Sequence, residues 1–496
     1  MVTRVRAPSA PPHTLLQPPH GERMSKVDTA WLRMDDSANL MMIVGVWVMR
    51  PGIRYADLAQ RLEERLLKYP RFVQVAVEDS TGASWLPDPD FKLANHLVRE
   101  TLPHHRKGQE QAALQERLGA LCMQPLDKRQ PLWQFHLVEN YRGGSALMVR
   151  IHHCIADGMA LLAVTQSLVD GGKPPPARRP SAPPGEHDWL ADYVFKPLTK
   201  LTVKALESAG HSAVRSLDLM LDPQKVLEEG LHGTADMAKL AYHVLTDAAA
   251  LALMPNDSPT RLKGQPGSTK RVAWCPPLPL DEVRAVSKAL DCSINDVLLS
   301  CVAGAIAQYL KGYGDKTEGL EIRAMIPVNL RPIDKAYQLG NKFGLVPLVL
   351  PIGMDDPLKR LAEVRHRMQA LKGSTQPLMA YAVLGVAGLV QKPVQEAIMG
   401  LFTHKTTAVM TNVPGPVEKF KLCGSTIEET LFWVPQSGTV GLGVSILSYG
   451  GGVQFGVVAD AKLCPDPQAI IDGFAPEFDK LIWLTLMLPW GKTVAA

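Results

Sequence analysis

The stretch Arg150–Met159, RIHHCIADGM, places two adjacent histidines, His152 and His153, shortly before Asp157 and Gly158. Three readings compete for it: a general base on a tight turn, a metal site, or the end of a buried strand. Upstream, SALMVRIHH alternates so that Leu147, Val149 and Ile151 share one face and His153 continues their parity. WQFHLVE precedes it as a second strand, joined by the turn NYRGG, and the helical pattern GMALLAVTQSLVDGG begins directly after the motif. A histidine at such a strand end, in a turn tightened by Gly158, is held at the mouth of a cleft. Its imidazole, with an ordinary pKa near ~6.5, can accept a proton at neutral pH if one ring nitrogen is held and the other is free.

Neighbouring residues of an extended segment point to opposite faces. His152 therefore lies with Met148 and Arg150, and is assigned a structural hydrogen bond. Asp157 either orients the imidazole or locks the turn by pairing with an arginine, and the shortness of the turn points to the second. A metal site needs three or four converging ligands. Only His153 and Asp157 converge, so no metal is expected. Cys154 invites a thiolate reading, but it diverges from His153, and free cysteines are usually buried.

At 496 residues the chain exceeds the size at which one core keeps growing, so two domains are expected. The 46% hydrophobic and 21% charged fractions are those of a globular protein. A net charge of +4 falls far short of a nucleic-acid binder and fits, at most, weak attraction to an anionic lipid surface. Seven scattered cysteines with no C-x-x-C pair point to a reduced, cytoplasmic setting without structural zinc. The opening MVTRVRAPSAPPHTLLQPPHGER lacks an apolar core, so residues 1–24 are read as a disordered leader rather than a secretory signal, with a transit peptide the weaker alternative and Met24 a candidate start.

NLMMIVGVWVM reads as a buried strand, and RYADLAQRLEERLLKYPRF and QEQAALQERLGALCMQPL as helices. These belong to a first half, 25–172. A Pro-rich and helical linker, 173–268, carries GGKPPPARRPSAPPGEHDW and the helical pattern Trp189–Leu253. A second half, 269–490, resumes mixed strands and helices from VAWCPPLPLDEVRAVSKALDCSINDVLLSCVAGAIAQYL. No short-period repeat is present. The expected fold is α/β (α+β), two similar halves with a site at their interface, where ligand clefts gather. The apolar runs LMMIVGVWVM, LMAYAVLGVAGLV and LIWLTLMLPW each fall short of the ~20 residues of a membrane-spanning helix. The last two are read as buried helices, with an interfacial position as the alternative.

IHHCIADGM resembles the active-site motif of the bacterial wax ester synthase/diacylglycerol acyltransferase family, part of the chloramphenicol acetyltransferase-like superfamily that includes peptide-synthetase condensation domains. SKVDTAWLRMDDSANLMMIVGVWVM is similar to the family's opening, and PLDKRQPLWQFHLVE carries its Pro-Leu-Trp element at Pro131, Leu132 and Trp133. SINDVLLSCVAGAIAQYL carries its Asn-Asp element at Asn295 and Asp296; AMIPVNLRP, TNVPGP and ILSYGGGVQFGVVAD look like further signatures. The resemblance runs in order along residues 25–485. One departure is that SANLMMIVG lacks the Pro-Met-His stretch usual before the first strand.

The resemblance implies two chloramphenicol acetyltransferase-like halves and transfer of a long-chain acyl group from acyl-CoA to diacylglycerol or a fatty alcohol, with acyl-CoA a substrate and no cofactor. His153 would deprotonate the hydroxyl, a contribution of about 10²–10⁴ in rate. Asn295 is the candidate oxyanion donor, because a capping box between Ser293 and Asp296 accounts for Asp296 as structure but leaves Asn295 unexplained. Pro131, Leu132 and Trp133 are candidate substrate-binding residues, Trp133 either walling a channel or filling core. Arg331 is the candidate partner of Asp157, and Asn412 is read in a turn with Pro414 and Gly415. PLMAYAVLGVAGLVQKPVQEAIMGLF, with Val383 and Leu384, is the expected face toward a membrane or lipid droplet, and homodimerisation is left open. Two alternatives remain: a carrier-protein-dependent condensation-type acyltransferase, and a non-catalytic lipid- or droplet-binding protein of the same fold.

Overall fold

The computed structural model describes residues 21–103, 106–173, 254–331, 338–371, 376–390 and 392–488. The leader 1–20 and the linker stretch 174–253 lie outside the described residues.

Strand Gly144–His152 is the spine of the first half. It pairs antiparallel with Met42–Arg50 on one side and Trp133–Tyr141 on the other. Every residue of it is buried, and its alternation feeds two cores: Leu147, Val149 and Ile151 enter one, Ala146 and Met148 the other. The hairpin to Trp133–Tyr141 closes at Arg142 and Gly143, both at positive φ (49° and 77°), the twist that two-residue hairpin turns require. The six-stranded sheet runs, in spatial order, Lys421–Leu422, Ser425–Trp433, Met42–Arg50, Gly144–His152, Trp133–Tyr141, Leu97–Arg99.

Two strands of this sheet come from the second half of the chain. Ser425–Trp433 lies antiparallel along Met42–Arg50, with Thr430 opposite Trp47, and buries Ile427, Leu431 and Trp433. Behind it Trp433 packs 5.9 Å from Trp274 of the second half. The halves are thus joined through a shared strand and a shared core, which fixes the cleft between them.

The second sheet has seven strands, running Phe343–Leu350, Ile322–Asn329, Ala408–Pro414, Leu442–Tyr449, Gly452–Asp460, Lys270–Trp274, with Leu278–Pro279 also on Gly452–Asp460. Helices Ile294–Gly312 and Pro467–Leu486 pack together against it, forming the largest core cluster with residues such as Val302, Ile306, Phe474 and Phe478. Between these helices Arg360 and Glu477 form a buried ion pair, which Gln308 joins. Gly304 makes room for the pair: a Cβ there would lie 2.4 Å from Glu477 Oε2 and 2.7 Å from Arg360 Nη2. The fold is therefore the mixed α/β, two-half architecture that the sequence implied.

The apolar stretch read as a buried helix, or as a face toward a membrane, is buried in part. Helix Gln376–Ala387 buries Ala382, Leu384 and Ala387, and Gly388 sits against helix Lys26–Arg33 so closely that a Cβ would lie 1.7 Å from the Lys26 carbonyl oxygen. The helix packs against Lys26–Arg33 of the first half and strand Phe343–Leu350 of the second, and Leu378, Tyr381 and Val383 stay half-buried. Among the described residues no single helix is long and apolar enough to cross a membrane.

Gly304→Ala should destabilise the protein by about 1–3 kcal/mol through overpacking against the Arg360–Glu477 pair. Gly312→Ala, at the open end of the same helix, should be neutral or stabilising by up to about 1 kcal/mol. Denaturant titration of both variants checks this, and equal effects would place the strain elsewhere.

Candidate active site

His153 follows the spine strand directly, its N–H donating to the Met41 carbonyl at 2.7 Å. The ring is 3% exposed. Trp31 of helix Lys26–Arg33 stacks on it at 4.2 Å and 12°, and Phe343 tilts against it at 5.5 Å, so the ring plane is fixed. Nδ1 lies 2.9 Å from Asn341 Oδ1. Asn341 Nδ2 in turn donates to Asp28 Oδ1 (2.7 Å) and to the His153 carbonyl (2.7 Å). Both of those partners only accept, so Asn341 must present its oxygen to the ring, and an oxygen can only accept from Nδ1–H. The proton therefore resides on Nδ1, and Nε2 carries the lone pair with no hydrogen bond to any described residue. Burial pushes the His153 pKa down to about 4, partly opposed by the Asn341 bond and by the Asp157 charge.

Asp157 locks the turn. Its Oδ1 accepts from Ala160 N–H (2.9 Å) as the N-cap of helix Gly158–Leu168, and its Oδ2 accepts from Arg331 Nη2 (2.8 Å) and Lys342 N–H (2.9 Å). It makes no hydrogen bond to the imidazole. Arg331 also donates to the Gly340 carbonyl. Gly340, at φ 108°, donates to the Ile155 carbonyl and accepts from Asp157 N–H. Three consecutive residues of the second half, Gly340, Asn341 and Lys342, thus grip both ends of the motif.

His152 points to the opposite side. Its Nδ1 accepts from Cys154 N–H at 3.2 Å and its Nε2 lies 3.3 Å from Asp35. Cys154 is fully buried and burial pushes its thiol well above the usual value, which removes the thiolate reading. Gly158 is not needed for the turn, since its φ lies outside the left-handed region. Instead a Cβ there would meet nothing within 4 Å, and the residue lines an apolar cavity.

Pro131, Leu132 and Trp133 are core rather than channel. Trp133 is 1% exposed, donates Nε1–H to the Phe72 carbonyl at 2.8 Å and stacks on His96. The Leu132 carbonyl receives His152 N–H, so this element holds the register of the spine strand. Asn295 makes no hydrogen bond to His153; its Oδ1 accepts from Asn412 Nδ2 at 2.7 Å. That bond supplies the account of Asn295 that the capping box did not. Asn412 lies within strand Ala408–Pro414, not in a turn beyond it. Asp296 and Ser293 form the capping box, with bonds of 2.9 and 3.1 Å.

Sequence reasoning passed over Asn341, Asp28, Trp31 and Arg71. Arg71 pairs with Asp28 at 3.2 Å and donates to the Ile155 carbonyl at 2.8 Å. Asn341 is 188 positions from His153, and neither spacing nor periodicity links them.

The cavity lies along the spine strand on the face that ends at His153. Val149 and Ile151 form its floor, Leu161 and Thr165 of helix Gly158–Leu168 cover it, and Leu431 and Tyr449 close it from the second half. Its lining is almost wholly hydrocarbon, suited to an apolar ligand.

Comparison with known proteins gives this geometry a family. The wax ester synthase/diacylglycerol acyltransferase catalytic domain matches residues 24–298, and the C-terminal domain of the same family matches residues 339–482. A probable diacylglycerol O-acyltransferase of Mycobacterium tuberculosis strain H37Rv is 25% identical over 471 residues, covering 92% of this chain and 95% of that protein. A second, putative diacylglycerol O-acyltransferase of the same strain is 26% identical over 479 residues, covering 93% and 97%. Among solved structures, the wax ester synthase/diacylglycerol acyltransferase from Marinobacter aquaeolei VT8 superposes with a TM-score of 0.65 at 17% identity, covering 94% of this chain and 100% of that one. The first condensation domain of the calcium-dependent antibiotic synthetase shares the fold at a TM-score of 0.55 and 13% identity, covering 95% and 97%. With its catalytic domain matched over more than half of the chain, the protein belongs to the wax ester synthase/diacylglycerol acyltransferase family.

Proposed function

We propose that the protein moves a long-chain acyl group from acyl-CoA to the free hydroxyl of diacylglycerol, giving triacylglycerol, or of a fatty alcohol, giving a wax ester. The observation that carries this reading is a buried imidazole whose Nδ1–H is committed to Asn341 and whose Nε2 bonds no described residue, directly after a strand whose Val149 and Ile151 line an apolar cavity. The diacylglycerol acyltransferase names of the relatives support the acceptor.

Nε2 of His153 takes the hydroxyl proton as the alcohol oxygen attacks the thioester carbonyl carbon. The tetrahedral intermediate then expels the CoA thiolate, which recovers that proton from Nε2–H, leaving ester and free CoA. No enzyme nucleophile is required, and acyl-CoA enters as a substrate, with no cofactor. Asp157 and Arg331 hold the turn, and Gly158 leaves the cavity open where a side chain would intrude.

Both substrates are lipids, so the protein would work at the cytoplasmic face of a membrane or on a lipid droplet. The end of helix Pro467–Leu486 supports this, with Trp483 66%, Leu486 54% and Met487 80% exposed at helical spacing on one face.

Thiol release from palmitoyl-CoA should require hexadecanol or dioleoylglycerol, and should fall by about two or more decades in His153→Ala. No release with either acceptor would transfer the weight to a carrier-bound donor or a binding role. Since the base must be neutral and burial lowers its pKa to about 4, kcat/KM should persist below the ordinary imidazole value of ~6.5 and be lost as pH falls toward the lowered one. An acidic limb at or above ~6.5 would mean that the ring is not buried as its neutral form. Trp483→Ser with Met487→Ser should reduce pelleting with phosphatidylglycerol vesicles, and unchanged pelleting would locate the lipid contact elsewhere.

A further inference from the structure

The groups around the imidazole form a chain that the transfer reaction by itself does not demand. His153 Nδ1 meets Asn341 Oδ1 at 2.9 Å, Asn341 Nδ2 meets Asp28 Oδ1 at 2.7 Å, and Asp28 Oδ2 meets Arg71 Nη1 at 3.2 Å. The Asn341 backbone N–H also donates to Asp28 Oδ1 at 2.9 Å, so one carboxylate oxygen holds the residue at two points. His153, Asn341 and Asp28 are each 3% exposed or less, so water does not compete for these bonds.

We infer that Asn341 is the positioning residue of the catalytic base and that Asp28, neutralised by Arg71, sets the direction of the Asn341 amide. This inference rests on His153 acting as the base. An amide left to itself turns either face to a ring nitrogen. With its NH₂ outward it would accept nothing from Nδ1 and would instead donate to it, forcing the proton onto Nε2 and removing the lone pair needed for chemistry. The Asp28 carboxylate forbids that orientation together with the His153 carbonyl, because both only accept. Direct contact between the carboxylate and the imidazole would also fix the tautomer, but it would favour the imidazolium and raise the pKa of a group that must stay neutral until the hydroxyl arrives. The interposed amide keeps the orientation without the full charge. The other titratable groups near the ring are already committed: Asp157 to Arg331, and His152 faces Asp35.

Two substitutions at Asn341 pull in opposite directions. Asn341→Leu keeps the approximate volume and removes all three side-chain bonds, so the ring should sample both tautomers, kcat should fall about 10–100-fold with KM for palmitoyl-CoA little changed, and the acidic limb of kcat/KM should move to lower pH. Asn341→Asp presents a carboxylate to Nδ1–H, so the tautomer should persist while the acidic limb moves to higher pH. Asp28→Asn should act like Asn341→Leu, more weakly, and serves if the leucine variant does not fold.

The decisive measurement is ¹⁵N NMR of histidine-labelled protein without substrates, with the His153 signal assigned by its loss in His153→Gln, together with the pH profiles. Wild type should show Nδ1 protonated and Nε2 bare, and Asn341→Leu or Asp28→Asn a mixture. An unchanged His153 signal in these variants, or pH limbs that move the same way in Asn341→Leu and Asn341→Asp, overturns the inference. The NMR readout uses no substrate, so it separates failure of this positioning role from failure of the proposed reaction, which would show as absent thiol release in the wild type.

Discussion

The crossing of Gly340, Asn341 and Lys342 over the motif His153–Asp157 is the constraint on which the site depends. The motif follows a strand of the first half, and the crossing segment leads into strand Phe343–Leu350 of the second. The first half alone leaves polar groups unsatisfied there: Asp157 N–H, Asp157 Oδ2 and His153 Nδ1 find partners on that tripeptide, and the Ile155 carbonyl, already bonded to Arg71, accepts a second bond from it. Leaving a buried polar group unpaired costs about 1–3 kcal/mol each, so docking of the halves and positioning of the imidazole are one event.

Burial makes the arrangement costly and specific at once. Asp28, Asp157, Arg331 and His153 are all nearly inaccessible to water. Each carboxylate is matched to an arginine, Asp28 to Arg71 and Asp157 to Arg331. Breaking such a pair strands a charge in low dielectric, which is why the site tolerates only one geometry. The imidazole is the exception, buried without a direct counter-charge, and it responds by staying neutral. A neutral buried imidazole is the electrostatic condition that the proposed proton transfer from an alcohol requires.

Two stretches with the same local pattern show how far sequence reading carries. Ser293-x-x-Asp296 has capping-box spacing, and the structure contains both reciprocal bonds. Ser25-x-x-Asp28 has the same spacing, and Ser25 does accept from Asp28 N–H, yet the Asp28 carboxylate turns away to Asn341 and Arg71. Local spacing specifies helix starts in both cases. It says nothing of which distant group draws the side chain. Trp133 illustrates the same limit: its family element is legible, but whether a tryptophan at a strand start walls a channel or fills core depends on what packs above it, and here that is His96 and Phe72.

The sequence by itself determined the strand–turn–helix around His153, the parity that separates His153 from His152, the lock on Asp157 and the two-half architecture, because these follow from periodicity, capping and the direction of neighbouring side chains. The tertiary structure alone decided that Asn341 bonds the His153 ring, that Asn295 bonds Asn412, and that helix Gln376–Ala387 packs against Lys26–Arg33. It also decided that a strand of the second half completes the first sheet. Each of these joins residues far apart in the chain, where nothing local encodes the encounter and only the burial of complementary surfaces selects it.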